Sequence, residues 1–365
     1  MDTSHIRNSA NGVNGSASNE VAVAPGRYIH GRQVGFDRHQ ATAGDSPGHA
    51  GQVSGSRRAT AAMVRTDATK RIASWNVNTL FQEGKFENLK KEARRMKLDV
   101  VGVSEVRWTG VGQEYSDGWT FYYSGGDRHE AGVGVLLSRE MADAVVGCWQ
   151  VSKRVILIKI AAKPVGLNII QVYAPTTSYS DAEVEEFYEQ VDSVRRQCKS
   201  EEVTIVMGDL NAKVGRGSSG TVVGDFGLGV RNERGDRWVE WCESWEQVIM
   251  NTWFKHHARH LYTWKSPGDR ARNQIDYVSI NKRFRNSVTQ VKTKPGADCG
   301  GGCDHVPLVA NVRVRVKRLK KNRKIRKDWN ILRRNDSIKD QYAIEVSNRY
   351  DRLTEEVVGE GADKE

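Results

Sequence analysis

The chain predicts an α/β fold of two packed β-sheets flanked by helices, a four-layer α/β sandwich. Three observations predict it. Short apolar runs of strand length recur from Lys70 to about residue 316. Few helical patterns interrupt them, and those few are amphipathic, as helices packed on the outside of sheets would be. Six polar clusters appear in one order, most of them directly after an apolar run, where a β scaffold brings side chains to one point.

The elements follow in order. Residues 1–68 are rich in Gly, Ser, Ala and Asn, lack periodicity and predict a disordered low-complexity segment. Arg71–Trp75 starts a strand, residues 85–97 alternate charge with spaced apolar positions as a helix does, and Leu98–Val103 is a buried strand. Ala131–Leu137, Val155–Ile160 and Leu167–Val172 are further strands. The clearest helix spans 181–199: Ser180 and Glu183 form a capping box, and Val184, Phe187, Tyr188, Val191 and Val194 share one face. Val203–Met207 is a short apolar strand, and a second helix over 234–246 carries Trp238, Trp241 and Trp245 as core residues. Strands recur at 248–254, 275–280 and 306–316. Residues 69–317 are expected to form one domain, and 318–365 a basic arm and helical tail.

The chain has 365 residues and a formal net charge of +11. A basic balance favours a polyanionic partner, most simply nucleic acid. Between Arg313 and Arg334 the cations crowd together, with Asp328 the lone acid. That stretch reads either as a solvated charged helix or as an arm touching duplex DNA through its phosphates. Five scattered cysteines, no signal peptide and no run of ~18 apolar residues predict a reducing, intracellular setting with no membrane partner. The basic run Lys317–Lys327 and a DNA substrate together suggest the nucleus.

The six clusters are Trp75-Asn76-Val77-Asn78, Ser104–Trp108, Val172–Pro175, Gly208-Asp209-Leu210-Asn211, Gln274-Ile275-Asp276-Tyr277 and Asp304-His305. They supply carboxylates, carboxamides, a phenol and one imidazole. Phosphodiester hydrolysis needs a cation to withdraw charge, a base for water, and donors for the transition state. Magnesium takes oxygen ligands and keeps several waters, so Asn76 and Glu105 suit it, with manganese able to substitute. If the stretch stays extended, Asp209 and Asn211 face the same side and can polarise water and bind a phosphate oxygen. The alternative is an Asx turn. His305 is the natural base, and Asp276 can orient it. Asp304, on the opposite face of a strand from His305, reaches for the metal or the nucleophile. Tyr173 can donate to the phosphate, or serve as a core tyrosine.

Three motifs mislead. Gly215–Gly220 matches a dinucleotide fingerprint, but no helical pattern follows it, so it reads as a loop. His256, His257 and His260 lie in a basic stretch without carboxylates and read as surface residues. Cys299 and Cys303 lack the second pair that zinc would require.

Taken together, the clusters resemble the endonuclease/exonuclease/phosphatase superfamily over residues 70–316. Tyr262–Pro267 followed by Arg272–Tyr277 is similar to the apurinic-like endonuclease domain of non-LTR (LINE) retrotransposons. The resemblance implies Mg²⁺ near Asn76 and Glu105 with Asp304 close by, Asp209, Asn211 and Tyr173 around the scissile phosphate, and an Asp276–His305 pair. It implies an enzyme that nicks one strand of duplex DNA. A phosphatase or RNA-directed nuclease of the same superfamily, or a non-catalytic DNA-binding remnant of a mobile element, are the other readings. Position 78 is Asn where abasic-site repair members carry Asp, which favours cutting of intact DNA. Position 303 is Cys where the usual pattern has Ser.

Overall fold

The computed structural model describes residues 62–315 and 329–359. The bulk of the expected disordered segment, residues 1–61, and most of the basic arm, residues 316–328, lie outside the described residues. In chain order the first unit contains β1 (Val64–Arg65), β2 (Lys70–Asn76), α1 (Lys85–Arg95), β3 (Val100–Ser104), β4 (Val111–Ser116), β5 (Trp119–Ser124) and β6 (Val133–Ser138). There follow α2 (Arg139–Ala142), β7 (Val145–Ser152), β8 (Val155–Ile160), β9 (Ala162–Lys163), β10 (Leu167–Tyr173), α3 (Asp181–Arg195), β11 (Val203–Asp209) and α4 (Glu233–Ser244). The unit ends with β12 (Gln247–Ile249), β13 (Trp264–Lys265), β14 (Arg272–Asn273), β15 (Asp276–Asn281), β16 (Val288–Thr293) and β17 (Leu308–Val312). A second unit, taken by itself, holds α5 (Ile331–Arg334) and α6 (Asp336–Gly359), with Trp329 edge-on to Tyr342.

Two large mixed sheets form the centre. One has seven strands in the order β16-β17-β2-β3-β6-β5-β4, the other six in the order β12-β15-β11-β10-β8-β7. Their facing sides interdigitate through Ile72, Val135, Ile158, Ile169, Ile205 and Ala310. The opposite sides are covered too. Trp75, Val101 and Phe121 pack under Leu89 and Ala93 of α1, while Leu157, Ile170 and Val206 pack under Phe187 of α3 and Trp238 of α4. Strands buried on both faces have no polar side to present, which is why they read as unbroken apolar runs. The four-layer sandwich is therefore as predicted. The capping box at Ser180 and Glu183 is also present.

The differences have physical causes. β4, β5, β7, β9, β13, β14 and β16 were not foreseen; of these, β4 and β7 are edge strands with little buried surface, β16 is an edge strand that alternates with polar residues, and β9, β13 and β14 are two residues long. The expected strand over 248–254 is cut short at Ile249 by a 3₁₀ turn, Met250–Trp253, whose Thr252 hydroxyl bonds back to the Ile249 carbonyl. The segment expected to be disordered ends early. Val64–Arg65 pairs in parallel with Ala162–Lys163, and Val64 is buried in the central core. The dinucleotide-like glycine motif lies in a loop, with Ser219 bridged to Val223.

Candidate active site

Two parallel strand pairs with crossover helices bring the polar clusters to one end of the sandwich. β2 and β3 run parallel with Asn76 opposite Ser104, so Glu105 emerges one residue beyond Asn76's neighbour. In the other sheet β10 and β11 run parallel with Tyr173 opposite Asp209, and β15 runs antiparallel with Asp276 opposite Asp209. Tyr173, Asp209 and Asp276 are thus successive cross-strand neighbours. Direct neighbours on one face of a sheet stand about 5 Å apart. The approach of β10 to β11 explains the glycine of the Gly-Asp-Leu-Asn cluster. Gly208 has φ 153°, and a Cβ there would lie 1.9 Å from the Val172 carbonyl oxygen.

Asn76 joins the two sheets. Its amide nitrogen donates to Glu105 Oε1 at 2.9 Å and to Asp209 Oδ2 at 3.0 Å, while its oxygen accepts from the Asn78 backbone at 3.0 Å. Tyr173 Oη donates to Glu105 Oε1 at 3.1 Å. Arg107 donates to Glu105 Oε2 at 2.6 Å and to Asn78 Oδ1 at 3.1 Å. The imidazole sits on the other side of Asp209. His305 Nδ1 is 2.9 Å from Asp276 Oδ2, and Nε2 is 3.8 Å from Asp209 Oδ2. Asn78, Thr79, Glu105, Arg107 and Asn211 all hold positive φ angles. Non-glycine residues adopt that conformation at a cost, and such residues concentrate at functional sites.

The charges of the site follow from this packing. Burial alone would raise Glu105, but the bonds from Asn76 and Arg107 and the charge of Arg107 hold it below the usual carboxylate range. Asp209 has no such compensation. Burial and the repulsion of Asp276 push it up to about 7, against the pull of His305. Burial disfavours the imidazolium of His305, yet Asp276 and Asp209 outweigh burial and raise it to about 9. Burial pushes the Tyr173 phenol up as well, and Glu105 and Asp209 add to that, so it remains a donor. The centre therefore favours an ionised Glu105, a protonated His305 and an Asp209 that holds its proton well above the ordinary carboxylate range.

Of the eight residues singled out in the sequence, Asn76, Glu105, Tyr173, Asp209, Asp276 and His305 are joined in one network. The other two are placed differently. Asn211 takes the Asx-turn geometry rather than an extended one: its backbone donates to Asp209 Oδ1 at 2.9 Å and its amide to the Ala174 carbonyl at 2.8 Å. Asp304 Oδ2 accepts from Trp264 Nε1 at 2.8 Å and lines an open cavity of about 540 Å³ with Asn78, Lys265 and Cys303. Sequence reasoning gave no role to Arg107, Trp264 or Arg154. Arg107 stands two residues after Glu105, a spacing that could have marked it. Arg154 stacks over the rings of Tyr173 and Tyr179 at 5.3 and 4.9 Å and donates to the Tyr173 carbonyl. No local pattern announces that.

Two donor sets could hold a divalent cation. Asp209, Asp276 and His305 offer ligand atoms within 4.8 Å of one another. His305 Nδ1 is already bonded to Asp276 there, and a protonated imidazole cannot ligate a metal. Glu105 and the Asn76 amide oxygen offer oxygen donors, which is the chemistry hard cations require, whereas Asp304 is engaged by Trp264 outside this network. Among the described residues His256, His257 and His260 belong to no such group, and all five cysteines are free thiols.

Comparison with known proteins gives consistent results. Residues 73–316 match the model of the endonuclease/exonuclease/phosphatase family. The chain is 40% identical over 247 residues to craniofacial development protein 2 of Bos taurus, and 39% identical to that of Tragulus javanicus. The match covers 67% of this chain and 41% of the bovine protein. Among solved structures, an AP endonuclease from Leishmania major is similar with a TM-score of 0.52 and 14% identity, over 68% of this chain and 88% of that one. An AP endonuclease from Archaeoglobus fulgidus is similar with a TM-score of 0.51 and 16% identity, over 67% of this chain and all of that one. At these identities the structural likeness shows the fold alone.

Proposed function

The chain belongs to the endonuclease/exonuclease/phosphatase family, and from that premise we propose that it is a divalent-metal-dependent phosphodiesterase that nicks one strand of duplex DNA. One observation carries the reading. Asp209, fully buried, lies between the Asn76 amide and the His305–Asp276 pair, and burial and Asp276 raise its carboxyl above the ordinary range. That is where a general base for water belongs.

The roles follow from the charges. Glu105, the Asn76 oxygen and Asp304 are the residues that would hold Mg²⁺, or Mn²⁺ in its place, and the ion would supply Lewis-acid stabilisation of the phosphoryl oxygens. Asp209 orients and deprotonates the attacking water. The sequence pointed to His305 for that task, but an imidazole raised to about 9 carries its proton at neutral pH. His305 instead donates from Nε2 to a non-bridging oxygen, and Asp276 fixes its orientation through Nδ1. Tyr173 and Asn211 border the scissile phosphate.

Duplex DNA is the substrate favoured by the net charge of +11. Cutting of intact rather than abasic DNA is favoured by Asn78, which is neutral and engaged with Arg107. The retrotransposon-type reading rests on the Tyr262–Tyr277 stretch. This stretch forms the β13–β14 hairpin, and its Trp264 bonds Asp304 and bridges to His305. A DNA substrate, with the basic run Lys317–Lys327, favours a nuclear location as part of this proposal. The test compares rates on supercoiled duplex DNA, single-stranded RNA and p-nitrophenyl phosphate under one Mg²⁺ concentration. The proposal expects turnover of the duplex alone to disappear in both Asp209→Asn and His305→Ala. Faster turnover of RNA or of the small ester would replace it.

A further inference from the structure

At the far end of the seven-stranded sheet a cavity of about 350 Å³ opens between α1, β16 and β17. It is distinct from the active site. Arg71 in its wall is five residues before Asn76 on β2, a separation of about 17 Å at strand rise. The strand register builds one row of polar side chains. Gln290 of β16 stands opposite Asn311 of β17, which stands opposite Arg71 of β2. Lys292 lies two residues along β16 on the side of Gln290, with Lys294 beyond it, and His260 closes the rim with Nδ1 3.1 Å from the Thr293 carbonyl. Met96 and Val309 give the pocket an apolar floor.

No acidic side chain lines this cavity. Arg95 on its rim has Glu92 as an ion-pair partner; Asp99 accepts from the Arg71 backbone at 2.7 Å, but among the described residues no carboxylate forms a side-chain ion pair with Arg71, Lys292 or Lys294. Arg71 is held in place by donating to the Met96 carbonyl at 2.8 Å, which also caps α1. The cations repel one another. Burial lowers the Lys294 pKa, and Lys292, Arg71 and Arg95 lower it further. His256 is likewise lowered by burial and by Lys292 and His260. Arg71, Arg95, Lys292 and Lys294 outnumber the two nearby carboxylates, Glu92 and Asp99, and like charges in excess around a concave site form a focused positive potential that an anion would relieve.

We propose that the cavity between β16, β17 and the C-terminal end of α1 is a second, non-catalytic binding site for a phosphate group. The Arg71 guanidinium and the Lys292 and Lys294 ammonium groups supply charge, and the Gln290 and Asn311 amides supply neutral donors. The volume falls among small-ligand pockets, so a phosphate fits together with part of the ester that bears it. That chemistry has two sources, a free phosphate compound or a backbone phosphate of nucleic acid.

The experiment uses the full chain in metal-free buffer and the double variant Lys292→Gln/Lys294→Gln. Neither lysine is fully buried nor bonded to a carboxylate, so the fold is retained, as its Tm would record. Inorganic phosphate is titrated by calorimetry and by backbone-amide NMR. A labelled duplex is titrated by fluorescence anisotropy across a salt series. A free-ligand site appears as phosphate binding at least tenfold weaker in the variant, with the amides of Gln290, Lys292 and Asn311 shifting before those of Asn76 and His305. A nucleic-acid site appears as a plot of log K against log salt shallower by about two units, one for each lost contact. Equal phosphate binding together with an equal salt slope overturns the proposal, as do phosphate shifts confined to Asn76 and His305.

Discussion

Asp209→Asn should stabilise the protein while abolishing its activity. In the native state the carboxyl is raised from an ordinary value of 3.8 to about 7, first by burial and then by Asp276. A shift of about three units is worth up to about 4 kcal/mol at 1.36 kcal/mol per unit. The sign follows from proton binding. Between pH 4 and 7 the folded chain holds a proton that the unfolded chain releases, so this group's contribution to stability is present below pH 4 and lost as pH rises through 7. Asparagine keeps the shape without the charge, and its one oxygen can keep the bond from Asn76 only by giving up the bond that Asp209 Oδ1 accepts from the Asn211 backbone. Part of the gain is returned, because His305 loses one of the two carboxylates that favour its imidazolium. A net gain of about 1–3 kcal/mol remains above pH 7, about 3–10 °C in Tm for a domain of this size. Thermal unfolding followed by circular dichroism at pH 5 and pH 8 decides the matter. The gain must be about a third as large at pH 5, where only the unfolded carboxyl is ionised, as at pH 8. A lower Tm than wild type at pH 8, or a gain independent of pH, would refute the charge assignment.

The other predictions concern the same network. The rate should rise as Asp209 ionises through about pH 7 and fall as His305 loses its proton through about pH 9; Asp276→Asn, which removes the partner that raises His305, should move the falling limb to lower pH in a pH–rate profile. Glu105→Gln should weaken Mn²⁺ binding, read by electron paramagnetic resonance, by about tenfold or more; unchanged binding would shift the ion to the Asp209–Asp276–His305 group. Gly208→Ala forces a Cβ against the Val172 carbonyl at a positive φ and should lower stability by about 4 kcal/mol or more in urea unfolding, whereas a loss under about 1 kcal/mol would mean that β10 and β11 can part.

The layers of the fold were legible because most of the sandwich is made of strands buried on both faces. Ile156 and Leu157, neighbours in sequence, belong to different cores, and that double burial writes itself as an apolar run. β4 and β7 were not legible, since an edge strand needs few apolar residues and takes its partner from tertiary context. In the site, the strand-end clusters showed which residues meet, because register carries Tyr173, Asp209 and Asp276 together. What they do once together was less visible. The Asx turn at Asn211 depends on the local path of the chain, and the bond from Trp264 to Asp304 joins residues 40 apart. The protonation of His305 was only partly visible in its sequence neighbour Asp304. It results mainly from two buried carboxylates contributed by other strands.

The most direct test of the central claim is conversion of supercoiled plasmid to open circle, with Mg²⁺ and with EDTA, by the wild type and by folded Asp209→Asn. Metal-dependent nicking by the wild type and none by the more stable variant is the predicted result. Equal nicking by both proteins, or nicking that persists in EDTA, would contradict the assignment of Asp209 and of the metal-binding centre beside it.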